Sequence, residues 1–192
     1  MRVPRAIPLL ALLMLAGCGT SPKTHYFTLS ALPEQPQAKV AIKTPVTVSA
    51  VHVPPSLDRR EMVRRTGPNT VAISSENLWT APLGEMTRQI LSRDLAARLR
   101  SDQIVLPDAP SPPGTARIVV SIAQFGSDGT GNAVLDGSWS LLEGKQQRPE
   151  LRREVKLTEA IQGGAPGAEA AAMSKLLHDF ATQIIAALSE TS

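Results

Sequence analysis

Residues 117–161 contain three strand-like runs: RIVVSIAQF (Arg117–Phe125), VLDGSWSLL (Val134–Leu142) and LRREVKLTEAI (Leu151–Ile161). The first two are joined by GSDGTGN (Gly126–Asn132). Ile118, Val120 and Ile122 occupy alternate positions of the first run. Leu135, Gly137, Trp139 and Leu141 do so in the second, and Leu151, Val155 and Leu157 stand among charged neighbours in the third. Period two is the signature of a strand with one buried face. Consecutive strands joined by short turns must pair antiparallel. This stretch therefore predicts the centre of a sheet, and what flanks it must cover the apolar face.

Downstream, Gly163-Gly164-Ala165-Pro166-Gly167 breaks the chain before a predicted helix over 168–188. Met173, Leu176, Leu177, Phe180, Ile184 and Leu188 recur there at helical spacing. Upstream, a stiff loop PDAPSPPG (Pro107–Gly114) follows a second predicted helix, Leu83–Leu99, with Pro82 suited to its first turn. Leu83, Met86, Ile90 and Ala97 share one side of it, and Leu91, Leu95 and Leu99 lie beside them. So broad an apolar face suits a helix that lies on a sheet and touches something further. Earlier strands are expected at His25–Leu29 and Pro45–Val53, the latter stopped by Pro54-Pro55 and preceded by a loop PEQPQ at 33–37. A hairpin is expected over Glu61–Arg65 and Thr70–Ser74 around Gly67-Pro68-Asn69, with Val63, Val71 and Ile73 facing inward. The order strands, helix, strands, helix predicts an α+β two-layer sandwich, a largely antiparallel sheet with two amphipathic helices on one face.

Composition narrows the function. The chain has 192 residues, 42% hydrophobic and 19% charged, which suits one globular domain rather than a charge-rich disordered chain. Aromatics are six residues, Tyr26, Phe27, Trp79, Phe125, Trp139 and Phe180, too few for base-stacking platforms. A single cysteine, Cys18, excludes an intrachain disulfide and a cysteine-built metal site. His25, His52 and His178 fall on different elements without metal-like spacing, so no metal site is expected. There is no Gly-x-Ser-x-Gly elbow. The Gly-rich run 126–131 is followed by a strand, not a helix, and reads as a hairpin turn rather than a phosphate loop. No pair of acids stands at catalytic spacing, and no enzymatic activity or cofactor is expected. Arginine doublets stand at Arg59-Arg60, Arg64-Arg65 and Arg152-Arg153. They read first as solvated faces and second as contacts for an acidic partner or lipid head groups.

The beginning of the chain reads as an address. Arg2 and Arg5 precede an apolar run, Ile7–Ala16. That run is about half of the ~20 residues a membrane-spanning helix needs. It ends in Leu15-Ala16-Gly17-Cys18, which resembles the bacterial lipobox. The resemblance implies cleavage between Gly17 and Cys18, with diacylglycerol on the Cys18 sulfur and an acyl group on the new amino terminus. Residues 1–17 are then a signal peptide, 18–23 a lipidated tether and 24–192 one domain. More than one acyl chain gives stable anchoring. Without the leader the basic residues fall from 20 to 18 against 17 acids, a net charge of +1, so charge gives no argument for nucleic acid. Gly19 stands where Asp marks inner-membrane retention in enteric bacteria, which implies sorting to the outer membrane, facing the periplasm.

Several segments together resemble a known family. They are the lipobox, Tyr26-Phe27-Thr28-Leu29, Val53-Pro54 through Leu57-Asp58-Arg59, and Met62-Val63-Arg64-Arg65. Asn77-Leu78-Trp79-Thr80-Ala81-Pro82-Leu83 follows, opening a helix, and later Phe125 and Val134 through Trp139. In this order, over nearly the whole mature chain, they are similar to the PqiC (YmbA-like) family of auxiliary lipoproteins of ABC-type and MCE transport systems. The resemblance implies a non-enzymatic outer-membrane lipoprotein that docks onto a periplasmic MCE-domain protein, forms a homo-oligomeric ring and supports lipid transport and membrane integrity. ATP hydrolysis would belong to another subunit, and the chain carries no Walker motif. Trp79, Leu83, Arg59, Arg64 and Arg65 are the candidate partner contacts, with core capping as the other reading of Trp79. Alternation on its strand makes Trp139 a core residue. A stand-alone lipid-binding lipoprotein, which would need an apolar cavity under the helices, and an envelope assembly factor are the competing readings.

Overall fold

In the computed structural model, residues 23–31, 39–144 and 148–190 are described. The strands predicted from period-two alternation form as β6 (Ala116–Ser127), β7 (Asn132–Glu143) and β8 (Arg148–Ala160). They pair antiparallel, with Ile118 opposite Leu141, Val120 opposite Trp139 and Leu135 opposite Leu157. Ile118, Val120, Leu135 and Trp139 are all 2% exposed or less, so one face of this meander is core.

Two further strands complete a five-stranded sheet. β2 (Val46–His52) lies parallel to β6, and the two-residue β5 (Ile104–Val105) is parallel to β2 on its other side, giving the order β5-β2-β6-β7-β8. A parallel neighbour requires a long crossover. Here the crossover from β2 to β6 contains β3 (Glu61–Gly67), β4 (Thr70–Trp79), α1 (Leu83–Arg98) and β5. A separate three-stranded sheet, β1-β4-β3, is formed by β1 (His25–Phe27) parallel to β4 and by the β3–β4 hairpin.

The second helix, α2 (Pro166–Glu190), brings its whole predicted stripe inward: Leu176, Leu177, Phe180 and Ile184 are fully buried. α1 packs against β2 and α2, while α2 packs across β6, β7 and β8. Leu91, Leu95 and Leu99 of the broad α1 face are also fully buried, so that breadth is explained by the second helix. Each such side chain contributes about 1.5–3 kcal/mol by leaving water. The fold is the expected α+β sandwich, with the strands divided between two sheets.

The start of α1 is held from outside. Pro82 has no side chain to cap it, and the Gly84 N–H instead donates to Asp58 Oδ1 at 3.0 Å. A Cβ on Gly84 would lie 3.3 Å from Asp58 Oδ1 and from the Val51 carbonyl oxygen, so glycine permits this close seat of the 54–59 loop. The loop expected at 33–37 lies outside the described residues.

Candidate functional site

The candidate contact residues fall on or beside the β3–β4 hairpin, and strand alternation sorts them. Glu61, Val63 and Arg65 share one face of β3, and Met62 and Arg64 the other. Val63 is opposite Ile73 and Arg65 opposite Val71, so these four share a face, and the register shifts before Glu61 pairs with Leu78. Tyr26 on β1 is paired with Leu78, beyond that shift.

On the inner face Trp79 is 3% and Leu83 2% exposed. Together with Leu57, Val63, Phe125 and Met173 they surround a void of about 10 Å³. The Trp79 N–H donates to the Arg60 carbonyl at 2.6 Å. Trp79 and Leu83 are thus core residues that join the small sheet to the helices, and they present no surface to a partner in this conformation. The cause is local: β4 ends with Trp79 inward, and the turn at Pro82 drops Leu83 directly behind it.

The hairpin expectation also needs correction. Val63 reaches the void beside Trp79, as expected, but Val71 and Ile73 do not face inward; each is 51% exposed. The inner positions opposite them are taken by a polar lock. Arg64 Nε donates to Glu169 Oε2 at 2.8 Å, and the Ser127 N–H donates to Glu169 Oε1 at 3.0 Å. The Glu169 side chain is 4% exposed, so this carboxylate, in the first turn of α2, ties β3 and the end of β6 to the helix. Arg64 is therefore committed to a structural ion pair.

Arg59 and Arg65 line one groove of about 200 Å³, walled by Val63, Val71 and Ile73 of the hairpin, by the 54–59 loop and by residues 123–127 at the end of β6. Arg59 Nε donates to Glu61 Oε2 at 3.0 Å; this bond raises the guanidinium and holds the carboxyl below its ordinary range. Arg65 Nη1 donates to the Pro68 carbonyl at 3.0 Å. Of the five candidates the structure brings Arg59 and Arg65 together on one open groove and sends the other three elsewhere. Val71 and Ile73 join them. Their surface role was hidden because alternation shows which residues share a face, not which face is covered. Cys18, Gly17 and Gly19 lie outside the described residues.

Among the described residues no three His, Cys, Asp or Glu side chains gather as a metal cluster, and no helix is long and apolar enough to cross a membrane. His25, His52 and His178 stand on β1, β2 and α2.

Residues 27–185, which run through both sheets and both helices, match the family described as the ABC-type transport auxiliary lipoprotein component. The chain belongs to that family. As a member of this auxiliary lipoprotein family, it is 26% identical over 157 residues to the intermembrane transport lipoprotein PqiC of Escherichia coli (strain K12), with 80% of each chain covered. The PqiC of Shigella flexneri matches to the same extent. A crystal structure of an uncharacterized protein superposes with a TM-score of 0.65 at 22% identity, covering 88% of this chain and 98% of that one. A Xanthomonas campestris protein does so with a TM-score of 0.66 at 16% identity, covering 88% and 100%. These structures share the fold. The family is one of auxiliary transport lipoproteins, and the resemblance drawn from the residues points to the same group.

Proposed function

We propose that this auxiliary lipoprotein is held in the outer membrane, facing the periplasm, by diacylglycerol and an acyl group on Cys18. It docks there onto a periplasmic MCE-domain protein as the outer-membrane end of a conduit for phospholipid or another hydrophobic cargo. The protein forms a ring of identical copies, acts without catalysis and supports the membrane barrier. The observation that carries this reading is the family match over 27–185, set directly behind the lipobox that ends in Cys18. Gly19 directs sorting outward. Arg59, at the open mouth of the groove, is the residue we assign to the protein partner.

Core packing argues against a stand-alone lipid carrier. Leu91, Leu95, Leu177 and Phe180, at the meeting of helices and sheet, are fully buried and occupy the space a ligand would need.

Complementation tests the proposal. A strain lacking the protein should become sensitive to detergent and bile salts. The wild type should restore resistance, and Cys18→Ser, which cannot take the thioether lipid, should not. Full rescue by Cys18→Ser would overturn the anchored reading.

A further inference from the structure

β6 loses a neighbour halfway along. β2 pairs with it as far as His52 opposite Ser121, while β7 flanks its other side as far as Ser127. Val53 then leads into Pro54-Pro55, which have no N–H with which to continue a ladder. Among the described residues no other strand takes the place of β2, so residues 123–126 of β6 present an unpaired edge. Four residues of edge run about 13 Å. Ala123, the extra residue of a bulge against β7, is exposed there. A row of unpaired backbone groups is a template for another strand.

The far end of this edge is closed. A Cβ on Gly126 would stand 3.8 Å from the Val63 carbonyl oxygen, and the Ser127 N–H is taken by Glu169 Oε1 at 3.0 Å. The small sheet thus abuts β6 at Gly126. Between that point and the 54–59 loop the open edge of β6 lines the groove described above.

The surroundings of the edge define the segment that fits it. Across the groove stand Val71 and Ile73, two of the four exposed large apolar side chains among the described residues. The two cations differ. Arg59 shares its charge with Glu61. Arg65 is half-buried, donates to the Pro68 carbonyl and has no carboxylate partner among the described residues. A guanidinium in such a place is complementary to a carboxylate, which it can meet with two parallel hydrogen bonds. An extended segment that carries aliphatic side chains and an Asp or Glu therefore matches the groove in backbone, shape and charge.

We infer that this groove is a strand-addition site: an extended segment of the protein partner lies along residues 123–126 of β6, in the place β2 leaves, with aliphatic side chains against Val71 and Ile73 and a carboxylate on Arg65. Main-chain hydrogen bonds to β6 supply the hold, and the side chains opposite select the sequence. The inference rests on the docking proposed above and describes how the partner is held.

The test is backbone hydrogen exchange on the natively lipidated full-length protein in mild detergent, alone and in complex with the MCE-domain protein that accompanies it. Peptides covering residues 121–127 should exchange at least tenfold more slowly in the complex, and those covering 102–106, around β5 at the other side of the sheet, should not change. Arg65→Glu and Ile73→Asp should each weaken the complex tenfold or more and leave the urea midpoint of the free protein where it is. A complex in which residues 121–127 exchange as they do in the free protein, or which both variants form at full strength, would overturn strand addition and leave the docking proposal standing. So would protection that appears without the partner, on raising the protein concentration or on adding phosphatidylglycerol, since a second copy or a lipid would then fill the groove. Recovery of no MCE-domain protein would overturn the docking proposal and this inference with it.

Discussion

Gly137 shows how closely the strands approach at one residue. A Cβ there would collide with the Ser121 carbonyl oxygen and lie 3.0 Å from Ile122 Cα, both backbone atoms of the neighbouring strand. Nothing flexible can yield, so Gly137→Ala is expected to cost about 3 kcal/mol or more, read by urea denaturation. Asp128 gives a second prediction. Burial pushes its carboxyl up, but hydrogen bonds from the Thr130 and Asn132 side chains and backbone outweigh this and hold it down to about 2. A pKa lower in the folded chain than the ordinary value near 4 contributes stability above about pH 4. That contribution fades as pH falls toward about 2. After solvent screening it is about 1 kcal/mol, and Asp128→Asn should flatten the acid limb of a stability–pH curve in that window. At this scale the sequence was informative where alternation was unbroken. Trp139, flanked by Gly137 and Leu141 on one face, was read as core and is 2% exposed. Trp79 sits at the end of its strand against a proline turn, where no following residue continues the pattern, and its burial draws on Phe125 and Met173, distant in sequence, as well as on Leu83.

Among elements, the hairpin is the most informative. Its existence was legible in Gly67-Pro68-Asn69, but its orientation was not. A two-stranded ribbon offers two faces, and Glu169, more than a hundred residues away, holds the Arg64 face toward the start of α2, which leaves Val71 and Ile73 on the groove side, each 51% exposed. Arg64→Ala would leave that buried carboxylate without its cation and should cost about 2–3 kcal/mol in urea denaturation. Arg65→Ala, one position along on the open face, should change stability by less than about 0.5 kcal/mol. Equal losses in the two variants would contradict the lock. β2 was legible as a strand from Val46, Val48 and its neighbours, but not as a parallel partner of β6, because pairing across an intervening helix leaves no local mark. β5, at two residues, is too short to show a period.

At the scale of the whole molecule, the order of strands and helices and the two apolar helix faces were enough to foresee a helix-covered sheet. Its division into a five-stranded and a three-stranded sheet was not foreseen. That division follows from the β2–β6 crossover and gives the molecule its working geometry: a filled core and an open groove between the β3–β4 hairpin, the 54–59 loop and the end of β6. The family match shows an auxiliary lipoprotein of transport. The direct measurement is recovery of the natively lipidated protein in mild detergent, with mass spectrometry of what accompanies it. The expected result is an MCE-domain protein in the complex, depleted severalfold by Arg59→Glu while the fold is unchanged. A lone monomer carrying bound lipid, with no MCE-domain protein, would contradict it.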